Sequence, residues 1–147
     1  TDDALRNVLQ AARGIATGRV IAVFGAGGDR DRSKRPKMGR VAAEYADVAV
    51  ITSDNPRTEP PMAIIRAIET GYLESGQASQ YRVIVDRAQA IQEALGLAQV
   101  GDVVIIAGKG HETYQILGSE RLPFDDRQVA MTALSGLGFA ATSTAPV

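Results

Sequence analysis

A short polar segment has the chemistry to bind a zwitterionic amino acid; it consists of Asp54, Asn55, Pro56 and Arg57. Asp and Asn bond readily to their own backbone and Pro restricts the chain after them, so the segment is a rigid turn. Such a turn can present the guanidinium of Arg57 as a planar fork for a carboxylate, while Asn55 adds a neutral donor and acceptor. Asp54 can face an ammonium or order the turn. A capped turn without a ligand is the alternative interpretation.

A glycine-rich segment at residues 108–112 contains the only histidine of the chain, His111. Its glycines, among them Gly108, allow a ligand to approach the backbone closely. Glu112 then supplies a counter-charge for a substrate ammonium. A lone histidine is more often structural than catalytic, and no second His or Cys is present to complete a transition-metal site with it. From this segment alone we therefore expect a structural histidine and no transition-metal site.

A third candidate segment, residues 25–36, starts like a dinucleotide-binding fingerprint. Arg30 stands in place of the third glycine of that fingerprint, and no phosphate loop ending in Gly-Lys-Ser or Gly-Lys-Thr occurs in the chain. Five basic residues follow the glycines between positions 30 and 37. They form either a solvated charge cluster or a site for an anion at the end of a buried strand.

Apolar runs and helical spacing predict the elements that position these segments. Strands are predicted at residues 20–24, 48–51, 82–85 and 103–107, with a further antiparallel strand at 113–117. Helices are predicted before the first strand, from Pro36, through residues 64–68, after Asp86 and over about 126–134. Asp2 or Asp3 is expected to cap the first helix, and Asp86 and Asp125 the last two. We interpret Asp125 as a helix cap paired with Arg127 rather than as a Mg²⁺ ligand.

The alternation of strand and helix predicts an α/β fold with an open, mostly parallel, Rossmann-like sheet and helices on both faces. Ligands of such sheets bind outside the carboxyl ends of the strands. The polar loops at residues 25–35, 53–61 and 108–112 all follow such ends. We therefore expect them to converge on one crevice.

The whole chain has the length and composition of a single globular domain. Its 147 residues are 45% hydrophobic and 22% charged, with a net charge of −1. That charge argues against a nucleic-acid or anionic-membrane partner, and the absence of cysteine excludes disulfides and thiolate chemistry. No apolar run approaches the roughly 20 residues that span a bilayer. We expect a domain over residues 1–139 and a flexible tail over 140–147.

Five motifs occur in the chain in the order in which one enzyme family has them. They are VFGAGGDRD at residues 23–31, KRPxMG at 34–39, DNPRT at 54–58, AGKGHExYQ at 107–115 and FDDR at 124–127. With these motifs the chain resembles, over almost its whole length, the MurE family of Mur ligases. The resemblance implies the C-terminal, amino-acid-binding domain of such a ligase.

The resemblance also implies an activity for the larger protein. The family uses ATP to join meso-diaminopimelate to UDP-N-acetylmuramoyl-L-alanyl-D-glutamate in cytoplasmic peptidoglycan precursor synthesis. In the family an N-terminal domain holds the uridine nucleotide, and a central ATPase domain holds most of the ATP and its Mg²⁺. Neither domain is in this chain, so we expect the isolated chain to be inactive and to contain no catalytic residue.

The diaminopimelate contacts of the family match seven positions of this sequence: Arg30, Asp54, Asn55, Pro56, Arg57, Gly108 and Glu112. The resemblance assigns Arg57 and Asn55 to the carboxylate of the held end and Glu112, with the Gly108 carbonyl, to its ammonium. Arg30 suits the second carboxylate. Because L-lysine lacks the distal carboxylate, a lysine-adding relative would leave Arg57 as a buried charge without a partner. Arg57 therefore favours diaminopimelate.

Two other functions remain open from the sequence. One is a stand-alone amino-acid or nucleotide sensor on the same α/β frame, which the missing phosphate loop would suit. The other is a ligase of the same superfamily that adds lysine or glutamate. Ligand binding by the chain alone and competition with lysine distinguish these functions from the first.

Overall fold

The computed structural model describes residues 1–77 and 79–139. The predicted tail at residues 140–147 lies outside the described residues. Four parallel strands form the main sheet in the order β3-β2-β1-β4: β1 (Val20–Phe24), β2 (Val48–Ile51), β3 (Gln80–Val83) and β4 (Val103–Ile106). Five helices accompany them: α1 (Asp2–Ile15), α2 (Lys34–Tyr45), α3 (Pro61–Glu74), α4 (Arg87–Leu97) and α5 (Asp126–Gly136). The predicted open, parallel α/β fold is confirmed.

The central strand β1 is buried on both faces because helices cover both sides of the sheet. Successive side chains of a strand point to opposite faces, and Ala22 accordingly packs into a core with α1, α2 and α3. Its neighbours Ile21 and Val23 pack into a second core with Ile91 of α4. Val129 of α5 packs against that second core. Burial on both faces explains why the run is apolar at every position.

The edge strand β3 starts two residues earlier than the apolar pattern predicts. Its register pairs Val48 with Gln80 and Ile51 with Val83, so the pairing with β2 fixes its ends. Only one neighbour binds this strand, and its residues alternate between exposed and half-buried. The predicted strand at residues 82–85 is wrong in its bounds because an edge strand exposed on one side is not uniformly apolar.

The predicted antiparallel strand near residue 113 is present, but it lies outside the main sheet. It is β5 (Tyr114–Leu117), which pairs with β6 (Glu120–Pro123) in a separate two-stranded hairpin. The sequence has no apolar pattern for β6, because all of its residues are exposed. This hairpin follows β4 and, as described below, contacts the loop after β2.

The caps of two helices follow the prediction and that of a third does not. Asp86 accepts a hydrogen bond from the amide of Gln89, and Asp125 accepts bonds from the amides of Arg127 and Gln128. Helix α1 is instead capped by Thr1, whose hydroxyl accepts from the amide of Ala4. Asp2 and Asp3 lie in the first turn, where their charge still suits the helix dipole.

Among the helices that the structure describes, none is both long enough and apolar enough to cross a membrane.

Candidate functional site

Three loops meet at the carboxyl ends of the strands, as the sequence predicts. We call them the first loop (residues 25–33, after β1), the second loop (52–60, after β2) and the third loop (107–113, after β4). The amide of Gly28 in the first loop donates to the carbonyl of Asn55 in the second at 2.8 Å. The ammonium of Lys109 in the third loop donates to the side-chain Oδ1 of Asn55 at 2.8 Å. Asn55 therefore lies at the centre of the cluster.

The first and second loops pack too closely for a side chain at Gly28. A Cβ added there would lie 1.8 Å from the carbonyl oxygen of Pro56. Next to this contact, the Asp29 carboxylate accepts hydrogen bonds from the hydroxyl and amide of Thr58. The contact between the two loops therefore requires a glycine at position 28. Pro56 is buried in this contact.

Glu59 fastens the same two loops through a dense set of donors. Both of its carboxylate oxygens accept from the guanidinium of Arg35, at 3.0 and 2.6 Å, and one also accepts from the amide of Asp29 at 2.7 Å. The hydrogen bonds from Arg35, followed by that from the Asp29 amide, lower the pKa of Glu59 from 4.5 to about 2. Glu59 is thus a carboxylate at any ordinary pH and holds the base of the site.

Arg57 is held by its backbone, and two of its three guanidinium nitrogens make no hydrogen bond within the described residues. Its φ of 54° is in the left-handed region, which a non-glycine residue occupies only when its surroundings impose it. The β5–β6 hairpin imposes it here: the Arg57 amide donates to the carbonyl of Ile116, and its carbonyl accepts from the amide of Gly118. Nη1 donates to the carbonyl of Gly28 at 2.9 Å. Within the described residues no hydrogen bond engages Nε or Nη2, which leaves a free edge for a carboxylate.

The side chain of Asn55 makes more hydrogen bonds within the protein than its predicted role in ligand binding requires. Its Oδ1 accepts from Lys109 Nζ at 2.8 Å and from the Ile116 amide at 3.0 Å. Both partners are donors only, which fixes the orientation of the amide. Its Nδ2 donates to Glu112 at 3.2 Å. The side chain can still offer one N–H to a ligand, but its acceptor is occupied within the protein.

Three of the seven predicted site residues line one cavity at the mouth of the cluster. Its volume is about 350 Å³, and Arg30, Asp54 and Gly108 are among its lining residues. Gly27 also lines it, and a Cβ at Gly27 would lie 3.0 Å from Nη1 of Arg57 and 3.4 Å from Cγ of Arg30. The two arginines thus flank the same glycine. Arg30 is exposed, and among the described residues its side chain donates to the carbonyl of Asp29 alone.

The acidic half of the cluster consists of Asp54 and Glu112. Oδ1 of Asp54 is buried and has no hydrogen-bond partner among the described residues; Lys109 Nζ lies 3.4 Å from it. The other oxygen, Oδ2, would lie 3.3 Å from a Cβ at Gly108. Gly108 has φ of +113°, a conformation that favours glycine. Glu112 remains 39% exposed, so both carboxylates can take part in recognising a cation.

Sequence reasoning missed two buried cations that organise the cluster. Lys109 contacts Asn55, Asp54 and Glu112; the sequence signal for it is its position three residues after the apolar strand β4. Arg87 pairs with both oxygens of Asp126 at 2.8 and 2.7 Å. It also donates to the carbonyls of Ser53 and Ala107, at the ends of β2 and β4. The sequence does contain a signal for Arg87. A cation is unfavourable in the first turn of a helix because of the helix dipole, so an arginine there indicates a partner elsewhere in the fold.

The two weaker candidates of the sequence find no role in the cluster. His111 is exposed, and no hydrogen bond to it is present among the described residues. Asp125 caps α5 and lies 4.0 Å from Arg127, as interpreted. Across residues 1–77 and 79–139, no three His, Asp or Glu side chains group closely enough to hold a metal ion.

Comparison with known proteins gives one consistent result. The family described as "Mur ligase, glutamate ligase domain" matches residues 1–110. The UDP-N-acetylmuramoyl-L-alanyl-D-glutamate--2,6-diaminopimelate ligases of Syntrophomonas wolfei and Trichormus variabilis are 54% and 57% identical, each over 92% of this chain. A solved structure of a ligase with the same name superposes with a TM-score of 0.86 at 42% identity, over 95% of this chain. The chain spans about 28% of the length of these proteins.

Proposed function

Because this chain belongs to the Mur ligase family through its glutamate ligase domain, we propose that it is the amino-acid-binding part of a larger ATP-dependent ligase. The proposed reaction joins meso-2,6-diaminopimelate to UDP-N-acetylmuramoyl-L-alanyl-D-glutamate. The names of the relatives from Syntrophomonas wolfei and Trichormus variabilis support this substrate pair. We assign the reaction to the cytoplasm, where ATP and nucleotide-linked substrates are available.

The observation that carries the proposal is the free edge of Arg57 in the same loop cluster as two carboxylates. Diaminopimelate has two ends, each with an ammonium and a carboxylate, and one must be held while the other reacts. A guanidinium edge matches a carboxylate in two parallel hydrogen bonds. Asp54 and Glu112 match the ammonium of the same end. Arg30, across Gly27 from Arg57, suits the second carboxylate.

The proposed chemistry places activation outside this chain and positioning within it. ATP transfers its terminal phosphoryl group to the side-chain carboxylate of the glutamyl residue, which gives an acyl phosphate and releases ADP. The free amine of the held diamino acid then attacks the acyl carbon, loses a proton and expels phosphate to form the amide. The contribution of this chain is to fix that amine, since a well-oriented reactant removes much of the entropic barrier. Among the described residues no three acidic or histidine side chains lie close enough together to hold Mg²⁺.

Substitution of Arg57 in the complete ligase tests the proposal. Two charge-assisted hydrogen bonds contribute about 3 kcal/mol together, which corresponds to about 100-fold in kcat/KM. We expect Arg57→Ala to lower kcat/KM for diaminopimelate by about that factor in steady-state ligation assays. The matched control is Arg40→Ala, which removes an exposed arginine paired with Glu74 between α2 and α3 and should change kcat/KM less than about twofold. Full activity in Arg57→Ala would refute the proposed site.

A further inference from the structure

Lys109 is the one buried lysine among the three of the chain. Its side chain has no exposed surface, whereas Lys34 is 42% exposed and Lys37 is exposed. Burying an ammonium is costly unless hydrogen bonds and counter-charges replace its water. A lysine retained at such a position therefore has a defined set of partners.

The partners of Lys109 come from both the second loop and the chain after β4. Its Nζ donates to Oδ1 of Asn55 and to the carbonyl of Tyr114, both at 2.8 Å. It lies 3.4 Å from Oδ1 of Asp54 and 3.6 Å from Oε1 of Glu112. A single ammonium thus contacts two neutral oxygens and two carboxylates, and it links residues 54 positions apart in sequence.

Each carboxylate depends on Lys109 in a different way. Oδ1 of Asp54 is buried and accepts no hydrogen bond from the described residues, so the nearby ammonium is what offsets its burial. Glu112 is also bound by Nδ2 of Asn55 at 3.2 Å, and Asn55 is itself held by Lys109. Removal of the ammonium would leave the two acidic side chains without their common anchor.

The three charged side chains leave one negative charge without a counter-charge, and one ammonium of a ligand would supply it. Asp54 and Glu112 carry two negative charges, and Lys109 carries one positive charge. The group therefore has a net charge of −1, which a single substrate ammonium would bring to zero. Without Lys109 the same two carboxylates would attract any cation, including a second ammonium or a metal ion.

We propose that Lys109 is a positioning residue for the amine donor: its buried ammonium holds Asp54 and Glu112 together, so that the pair binds one ammonium of the diamino acid. The inference rests on the proposed function and assigns a role within that site. Lys109 itself does not contact the ligand. Its four contacts within the protein, and its complete burial, leave its ammonium no free direction toward the cavity.

The test is chemical rescue of Lys109→Ala in the complete ligase. The substitution deletes the atoms of a propylammonium ion, so added propylammonium can fill the space and restore the charge. We expect the KM for diaminopimelate to rise at least about tenfold, while the KM values for ATP and for the UDP-dipeptide change less than about twofold. Propylammonium should recover a large part of the loss, whereas the neutral analogue 1-propanol should not. Lys37→Ala, on the exposed face of α2, is the matched control.

A purely structural role for Lys109 predicts a different set of results. A structural role would change all three KM values together or kcat alone, or it would let propanol rescue the variant as well as propylammonium does. Any of these results overturns the proposal. An unchanged KM for diaminopimelate overturns it as well. If the alanine variant does not fold, Lys109→Gln retains a donor for Asn55 without the charge, and the same selective rise in KM is expected. An effect of Arg57→Ala without any effect of the Lys109 variants would refute this inference and leave the proposed function standing.

Discussion

At the scale of single residues, the segment from Asp54 to Arg57 is the capped turn that one interpretation of its sequence predicts, and the binding of an amino acid remains our proposal. Asn55 acts chiefly within the protein, because its side chain binds Lys109, Glu112 and the backbone of β5. Arg57 retains a free guanidinium edge while its backbone is locked in a left-handed conformation. The turn is therefore a capped, rigid structure, and this rigidity supports the proposal that Arg57 binds a carboxylate.

The stabilisation that Glu59 gives to the folded chain depends on pH. Its pKa is lowered to about 2 in the folded state, chiefly by hydrogen bonds from Arg35. Because the folded pKa is below the ordinary value, the unfolded chain takes up the proton first as pH falls. The stabilisation by Glu59 is therefore fully present above about pH 4.5 and is lost as the pH falls toward 2.

We expect Glu59→Gln to destabilise the chain most above about pH 4.5, with the difference from wild type shrinking toward pH 2. Denaturant midpoints measured across this range check the expectation. Glu74→Gln, at an exposed ion pair with Arg40, serves as the control and should have little effect at any pH. A difference between wild type and Glu59→Gln that stays constant with pH would contradict the assigned charge of Glu59.

At the scale of elements, the site depends on contacts between loops that follow different strands. Continuous apolar runs predict β1, β2 and β4 closely, since β1 and β2 are buried and β4 is half-buried between helices. The β5–β6 hairpin and the pairing of Arg87 with Asp126 are not predictable in the same way. Strand β6 is exposed at every position and has no apolar pattern, while the ion pair joins residues 39 positions apart in sequence; local periodicity records neither feature.

The contact between the first and second loops predicts the effect of Gly28→Ala. The new methyl group would lie 1.8 Å from the Pro56 carbonyl oxygen, so the loops must separate. We expect a loss of about 1–3 kcal/mol in the free energy of unfolding, the usual range for overpacking, together with weaker binding of diaminopimelate.

The control for this substitution is Gly14→Ala in α1, where an added Cβ meets no atom within 4 Å. A helical glycine replaced by alanine gains about 0.5–1 kcal/mol at most. Urea unfolding of both variants measures the two effects. Equal stability of Gly28→Ala and Gly14→Ala would show that the two loops are not in close contact.

At the scale of the whole molecule, the sequence predicts the fold class and the convergence of the loops, and the structure confirms both. The motifs also indicate the family, to which the chain belongs. The role of each site residue is harder to predict from the sequence, because it depends on which of its oxygen or nitrogen atoms already makes a hydrogen bond within the protein. Neither the occupied acceptor of Asn55 nor the buried ammonium of Lys109 can be inferred from residue type and spacing.

The central claim, that Arg57 holds the distal carboxylate of diaminopimelate, is tested most directly by changing the residue and the ligand together. L-lysine is diaminopimelate without that carboxylate. We propose to measure kcat/KM for both amine donors in the complete ligase and in its Arg57→Ala variant. The variant should lose about 100-fold with diaminopimelate and little with lysine, so that the preference between them collapses. An equal loss with both donors, or a preference that survives the substitution, would contradict the claim.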